Sequence, residues 1–142
     1  MKYAVLLLAL MFAGCGGCSS TDGGYETFTI AGETMQVAKE DFPSMMNWYD
    51  AKAACQNLGN GWRLPSKEEL GAMYEQMHKR GKGKFDKHGW YWSSSEYKDD
   101  LFQGYWAVSF FFFNGQASSY SEYLLSGGKD GSKHVRAVRT LP

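Results

Sequence analysis

Residues 47–70, NWYDAKAACQNLGNGWRLPSKEEL, hold the signals that decide the fold, because they contain the starts of two consecutive helices. The first helix is indicated by apolar side chains that recur on one helical face. These residues are Trp48, Ala51, Cys55 and Leu58. Asn47 is a suitable N-cap and Gly59 is a suitable stop, so we predict a helix between these two positions.

The second helix has a sharper start signal. Ser66 and Glu69 form an S-x-x-E capping box, in which each side chain accepts a hydrogen bond from the backbone of the other residue. Gly81 is the expected end of this helix. The apolar residues that follow the box at helical spacing are Leu70, Met73, Tyr74 and Met77.

Strands are predicted on both sides of the helix pair. Residues 25–42 alternate around a central turn and predict a hairpin with strands near 26–30 and 34–38. Beyond residue 90 the helical period disappears. Three more strands are predicted there, in WYWSSSEY (90–97), YWAVSFFFF (105–113) and HVRAVR (134–139). Strands at both ends with two adjacent helices between them indicate an α+β domain.

Size and charge restrict the possible partners. The chain has 142 residues, which is enough for one domain with its own core. Its 15 basic and 15 acidic residues give a formal net charge of zero, which argues against nucleic acid as the main partner. A dense basic run at 78–88 is interpreted as a solvated loop after the second helix, with contact to an acidic envelope surface as the alternative.

The N-terminus predicts export and lipid anchoring. Residues 1–14, MKYAVLLLALMFAG, have one lysine and then an apolar run that is too short to span a membrane but is typical of a signal peptide. Small residues before Cys15 resemble the lipobox of bacterial lipoproteins, although Phe12 stands where leucine is usual. We therefore expect Cys15 to carry lipid at the cell envelope, on the outer membrane or cell surface. An ordinary cleaved signal is the alternative, and Cys18 is a second candidate.

Three segments follow from this interpretation. Residues 1–14 are a signal peptide, residues 15–24 are a flexible Gly/Ser tether, and residues 25–142 are the folded domain. That domain contains Cys55 alone, so no disulfide can form within it.

Four motifs together resemble a known family of bacterial domains. They are NWYDAKAACQNLGNGWRLPSKEEL, YWSSSEY, YWAVSF and HVRAVR. The resemblance covers roughly residues 46–139 and is to the Legionella collagen-like protein C-terminal domain and the Fibrobacter major paralogous domain. It implies a C-type-lectin-like fold of the formylglycine-generating-enzyme branch, with two helices packed on a twisted antiparallel sheet, paired terminal strands and long irregular loops in the second half.

Some proteins similar to this family are surface lipoproteins diversified by retroelements. Diversification of that kind acts on adenines, and residues 97–132 are rich in the residue types that it produces from Asn codons. The resemblance therefore implies either a hypervariable binding segment or a fixed surface domain of the same fold.

Catalytic and metal-binding motifs are not found in the sequence. The enzymatic branch of the fold holds copper with a cysteine pair, whereas Cys55 is alone and lies on an apolar helix face, where a core role is typical. The triplets that bind calcium in C-type lectins do not occur either. We therefore predict no catalytic residue, no metal and no cofactor. One of Arg136 and Arg139 is expected to point inward and to need a partner.

The strand with four consecutive phenylalanines predicts a binding surface. The resemblance places Trp106 and Val108 in the core. Phe110 and Phe112 lie on the same face of the strand as these two residues, because side chains alternate along a strand. Phe111 and Phe113 point to the other face. We expect both helices to lie under the first face, which leaves the second face open for a ligand. The alternative is that residues 114–132 fold back and bury these rings. The predicted ligand-binding residues are Tyr97, Asp99, Phe102, Tyr105, Ser109, Phe111, Phe113, Asn114, Ser118, Tyr120 and Tyr123.

These observations predict a membrane-anchored cell-surface protein that binds an extracellular protein or glycan. An enzyme or maturation factor of the formylglycine-generating type is one alternative, and a structural envelope lipoprotein is another. The predicted core residues are Trp48, Leu58, Trp62, Leu64, Leu70, Trp92, Trp106, Val108, Val135 and Val138.

Overall fold

The computed structural model describes residues 25–97, 104–118 and 128–141. The signal peptide, the tether and Cys15 lie outside these ranges. In chain order the elements are β1 (Glu26–Ile30), β2 (Glu33–Val37), α1 (Trp48–Asn57), α2 (Lys67–Gln76), a short 3-10 helix (His78–Arg80), β3 (Trp90–Glu96), β4 (Ala107–Phe111), β5 (Gln116–Ser118) and β6 (Val138–Thr140). The α+β class is confirmed.

Local capping explains where both helices begin and end. The Asn47 side chain accepts a hydrogen bond of 2.9 Å from the Asp50 backbone N–H at the start of α1. At the start of α2, Ser66 and Glu69 complete the predicted capping box, with each side chain accepting from the other residue's backbone. The 3-10 helix ends at Gly81, whose φ of 70° is the left-handed conformation that glycine adopts without strain. The predicted starts of both helices and the span of α1 are confirmed, whereas α2 itself ends at Gln76 and Gly81 ends the 3-10 helix that follows it.

The strands form two three-stranded sheets rather than the single sheet expected. The first has the order β1-β2-β6, so the strands near the two ends of the domain pair, as predicted. The second has the order β3-β4-β5. β5 was not predicted, because its three polar and small residues have no apolar alternation. It forms because the turn after Phe111 brings Ala117 opposite Phe110.

Each helix packs on a different face of the β3–β4 ladder. Tyr91 and Trp92 are successive residues of β3, so their side chains point to opposite faces. Tyr91 belongs to one core cluster with Leu70 and Met73 of α2, whereas Trp92 belongs to another with Ala51 of α1. The prediction that both helices lie under one face is therefore wrong, and much of the ladder is covered on both sides.

Burial confirms most of the predicted core and corrects three positions. Leu58 is 46% exposed, because α1 ends at Asn57 and Leu58 is its C-cap. Trp106 and Val108 are only half-buried, and they lie just before and near the start of β4. The predicted residues that are buried are Trp48, Trp62, Leu64, Leu70, Trp92, Val135 and Val138.

Two of the three serines of β3, Ser93 and Ser95, satisfy backbone groups with their hydroxyls, as serines at the end of a strand commonly do. The Ser93 hydroxyl donates to the Val108 carbonyl at 2.7 Å, which links β3 to β4. The Ser95 hydroxyl accepts from the Lys67 N–H at 3.1 Å and so helps to cap α2. These contacts give the SSS motif a structural role and position α2 against the second sheet.

The inward-pointing arginine is Arg136, which is 1% exposed. Its Nε donates to Asp41 at 2.6 Å, and its Nη1 donates to the Gly83 carbonyl at 2.7 Å. Arg139 is instead half-buried, with its guanidinium 4.9 Å from the Trp62 ring centroid. The prediction that one of the two needs a partner is confirmed.

Candidate aromatic binding site

Four aromatic side chains form a continuous row at one end of the second sheet. Trp90 and Phe111 stack with centroids 4.7 Å apart and planes 14° apart. Phe111 contacts Phe113 at 5.9 Å, and Phe113 stacks on His88 at 5.0 Å. Phe113 is 61% exposed, so the row reaches the solvent. We call Trp90, Phe111, Phe113 and His88 the aromatic row.

Strand register explains the position of the row. Trp90 pairs with Phe111 across the β3–β4 ladder, one step along from the Trp92–Ser109 pair on the same face. Trp92 is buried against the α1 cluster, whereas Trp90 and Phe111 are half-buried. The row is therefore the outward continuation of the face that α1 covers.

The turn after β4 separates the last two phenylalanines. Phe112 is fully buried and contacts Tyr91 and Tyr74, while Phe113 turns outward. Gly115 is needed in this turn, because its φ is 73° and an added Cβ would lie 2.5 Å from the Tyr74 ring. The buried Phe112 on one side and the constrained turn at Gly115 on the other therefore hold the exposed ring in place.

A buried lysine lies at the inner end of the row. The Lys133 ammonium is 4.8 Å from the Trp92 ring centroid and 5.8 Å from that of Trp90. Burial lowers the pKa of Lys133. The row thus extends from a cationic group in the core to the imidazole of His88 at the surface. Cation–π contacts of this kind stabilise the orientation of the indole rings.

Those predicted site residues that the structure describes lie in two separate regions. Tyr97 and Tyr105 are 40% and 51% exposed, but they lie at the other end of β4 from Phe111. At about 3.3 Å per strand residue, Tyr105 and Phe111 are about 20 Å apart along the strand. The Tyr97 N–H donates to the Trp106 carbonyl, and the Lys129 N–H donates to the Tyr105 carbonyl. The exposed tyrosines therefore belong to a second, separate region.

Ser109 is wrongly predicted to face the solvent, since it is 5% exposed. It lies opposite Trp92 on the face that α1 covers, so the covering helix accounts for its burial. Asn114 is exposed, and its side-chain oxygen accepts from the Gln116 N–H at 3.0 Å within the turn. Ser118 is the last residue of β5. The predicted residues outside the described ranges are Asp99, Phe102, Tyr120 and Tyr123.

Sequence reasoning missed three members of this region: Trp90, His88 and Lys133. Trp90 lies opposite Phe111 because β3 pairs with β4 in this register, and the register could not be predicted from the sequence pattern. His88 belongs to a loop that was interpreted only as a basic run. Lys133 lies three residues before Arg136, and no pattern of apolar residues around it indicated that it would be buried.

The Cys55 thiol is unsuited to nucleophilic chemistry. Cys55 is fully buried, and burial raises the pKa of its thiol to about 12, so the thiolate is scarce at neutral pH. Partial burial, and next the Lys87 ammonium, lower the pKa of His78, which stacks on the partly buried Tyr74. In the described ranges no three histidine, cysteine or acidic side chains meet as a metal site. Neither described helix has the length and apolar character that crossing a membrane requires.

Comparisons with known proteins agree with the fold. A family model described as the Lcl C-terminal domain matches residues 20–139. The crystal structure of botrocetin is 17% identical and superimposes with a TM-score of 0.50, over 81% of this chain and 96% of that chain. A complex of a von Willebrand factor A1 domain mutant with botrocetin gives 16% identity, the same two coverages and a TM-score of 0.47. A search of curated proteins found no match. The fold is C-type-lectin-like.

Proposed function

Because the chain belongs to the Lcl C-terminal domain family, we propose that it is a non-enzymatic binding domain that recognises an extracellular protein or glycan through the aromatic row. The observation that carries this proposal is the exposure of Phe113 at the end of a stack whose inner members are held by the core. A phenylalanine that is 61% exposed contributes little to the stability of its own domain, whereas a contiguous exposed aromatic patch is typical of an interaction site.

The row has the physical properties of a binding surface. Aromatic rings offer a large contact area, and few of their torsions must be fixed when a partner binds. Trp90 and Phe111 are already ordered by stacking, so their conformational entropy is lost in folding and not in binding. Flanking Asn114 and the His88 ring add hydrogen-bonding groups beside the apolar surface.

A second region of the same domain has the properties expected of a binding surface whose residues vary between related proteins. Tyr97, Tyr105 and Tyr49 are each at least 40% exposed and surround the Glu96–Lys129 ion pair of 2.7 Å. Lys129 also lies 4.2 Å from the Trp48 ring centroid. We propose that retroelement diversification, where it occurs, acts in residues 97–132 at positions other than Lys129, while the Glu96–Lys129 ion pair keeps the framework constant. A near-copy of the coding region that differs at adenines would support this proposal.

Replacement of Phe113 by serine tests the aromatic row. The variant should change the free energy of unfolding by less than about 1 kcal/mol, because the side chain is mostly exposed. It should weaken by at least roughly tenfold the binding of any ligand selected on a glycan array or from a displayed peptide library, which corresponds to about 1.4 kcal/mol.

The matched control is Leu58→Ser, which removes an exposed apolar side chain from the end of α1, outside the aromatic row. It should leave the same binding unchanged. Equal affinity of Phe113→Ser and the unmodified domain would assign binding to another surface. A domain that selects no ligand of either class would favour a structural envelope protein.

We further propose that lipid on Cys15 holds the domain at the cell envelope, on the outer membrane or cell surface. The sequence around Cys15 and the apolar run before it support this localisation. Mass spectrometry of the mature protein should find a lipid-modified N-terminal Cys15, and Cys15→Ser should move the protein from the membrane to the soluble fraction. Cys18→Ser is the matched control and should stay with membranes. An unmodified N-terminus beyond residue 18 would contradict the anchor.

A further inference from the structure

A small polar pocket lies where the end of β2 meets the loop after the 3-10 helix. Its volume is about 230 Å³, well above the roughly 10–15 Å³ that one water molecule needs. Glu26, Lys39, Glu40, Gly83 and Lys84 contribute to its lining. None of these residues belongs to the aromatic row.

One carboxylate oxygen in this pocket is buried without a partner. The Oε1 atom of Glu26 accepts a hydrogen bond of 3.1 Å from the Gly83 N–H, which orients the carboxylate. The Oε2 atom is buried and has no hydrogen-bond partner among the described residues. An unpaired buried oxygen costs free energy that a suitable donor would recover. The pocket therefore presents an unused acceptor.

The two walls of the pocket are held together by Arg136. Its Nη1 donates to the Ala38 carbonyl at 3.1 Å and the Lys39 carbonyl at 3.3 Å on one side, and to the Gly83 carbonyl at 2.7 Å on the other. Gly83 and Lys84 are both left-handed, with φ of 79° and 47°. A non-glycine residue held in this conformation is a mark of a constrained loop. The pocket is consequently preformed.

Its charges define the kind of ligand that fits. The acidic lining residues are Glu26 and Glu40, and the basic ones are Lys39 and Lys84, so the lining residues carry both signs and no net charge. A ligand with an ammonium group for Glu26 and a carboxylate for the lysines satisfies both signs at close range. From this arrangement we infer that the pocket binds a small zwitterion of the free α-amino-acid class, with its ammonium donating to Glu26 Oε2.

Thermal unfolding of the domain with a set of related compounds tests this inference. L-Alanine should raise the melting temperature by a few degrees at a concentration roughly tenfold above its dissociation constant. N-acetyl-L-alanine, which lacks the ammonium, and L-alaninamide, which lacks the carboxylate, should give little or no rise. Titration calorimetry with L-alanine should give one site per chain.

Three variants assign the effect to this pocket. Glu26→Gln should lose the response while its side-chain oxygen still accepts from Gly83, and Glu33→Gln, outside the lining, should keep it. Lys84→Gly suits the left-handed backbone and removes one ammonium, so it should fold and bind L-alanine more weakly. Phe113→Ser should respond fully, which separates this inference from the proposed function. No rise with L-alanine, or an equal rise in Glu26→Gln, would overturn the inference and leave a pocket that holds water.

Discussion

Replacing Arg136 with methionine should lower the free energy of unfolding by about 3–5 kcal/mol, the usual cost of removing one partner of a buried ion pair. The loss has two sources. Asp41, whose side chain is only 18% exposed, loses its guanidinium partner and retains the hydrogen bond from the Tyr91 hydroxyl. The Gly83 carbonyl also loses its donor. Urea denaturation followed by tryptophan fluorescence measures the change.

Arg139→Met is the matched control, because Arg139 belongs to the same C-terminal segment but is half-buried. It loses a hydrogen bond of 2.6 Å to Gln36 and its contact with Trp62, and we expect a cost of about 1 kcal/mol. Similar losses for the two variants would mean that the Arg136 network contributes no more than an ordinary half-buried contact.

Replacing Trp92 with alanine should cost about 3–5 kcal/mol, as expected for a large aromatic residue in a core. Trp92 is 0% exposed and belongs to the cluster that joins α1 to the second sheet. Its Nε1 donates to the Met46 carbonyl at 2.8 Å, and the Lys133 ammonium lies over its ring. The variant therefore loses apolar burial, a hydrogen bond and a cation–π contact together.

The matched control for this prediction is Trp106→Ala. Trp106 is half-buried next to the start of β4, so the cost should be smaller, about 1–2 kcal/mol. The melting temperatures of the two variants show which substitution destabilises the domain more. A larger loss for Trp106→Ala would mean that residues near its ring bury it more deeply than the described neighbours do.

Features of the fold that depend on near neighbours in the chain could be predicted from the sequence. The Asn47 cap, the Ser66–Glu69 box and the Gly81 stop each depend on residues within about one turn of a helix. Capping preferences act at that range, so the sequence contains the whole signal. The β1–β2 hairpin was predicted for the same reason, since its strands adjoin one turn.

The side of the sheet on which each helix packs could not be predicted in this way. Both helices have one apolar face, and that pattern is compatible with packing on the same side or on opposite sides. The burial of Ser109 follows from the actual arrangement, in which α1 covers the face that also presents Trp92. Serine is not apolar, so the sequence around Ser109 does not indicate burial. Its burial is caused by α1, which comes from a distant part of the chain.

The aromatic row was only half predicted for a related reason. The outward parity of Phe113 was readable from the alternation of strand residues. Its neighbours His88 and Trp90 come from another segment, and their contacts depend on the β3–β4 register. Register is a pairwise property of two strands, and a pattern in one strand does not contain it.

The pairing of β2 with β6 has a consequence for how the chain folds. Met35 and Thr140, which pair in the first sheet, are 105 positions apart in the sequence. Contacts between such distant residues require a long loop to close before they contribute stability, and they slow folding. The first sheet cannot be completed until the ribosome has released almost all of the domain. Until then the nascent polypeptide lacks its finished core, and the run of four phenylalanines is available to chaperones and, in their absence, to aggregation.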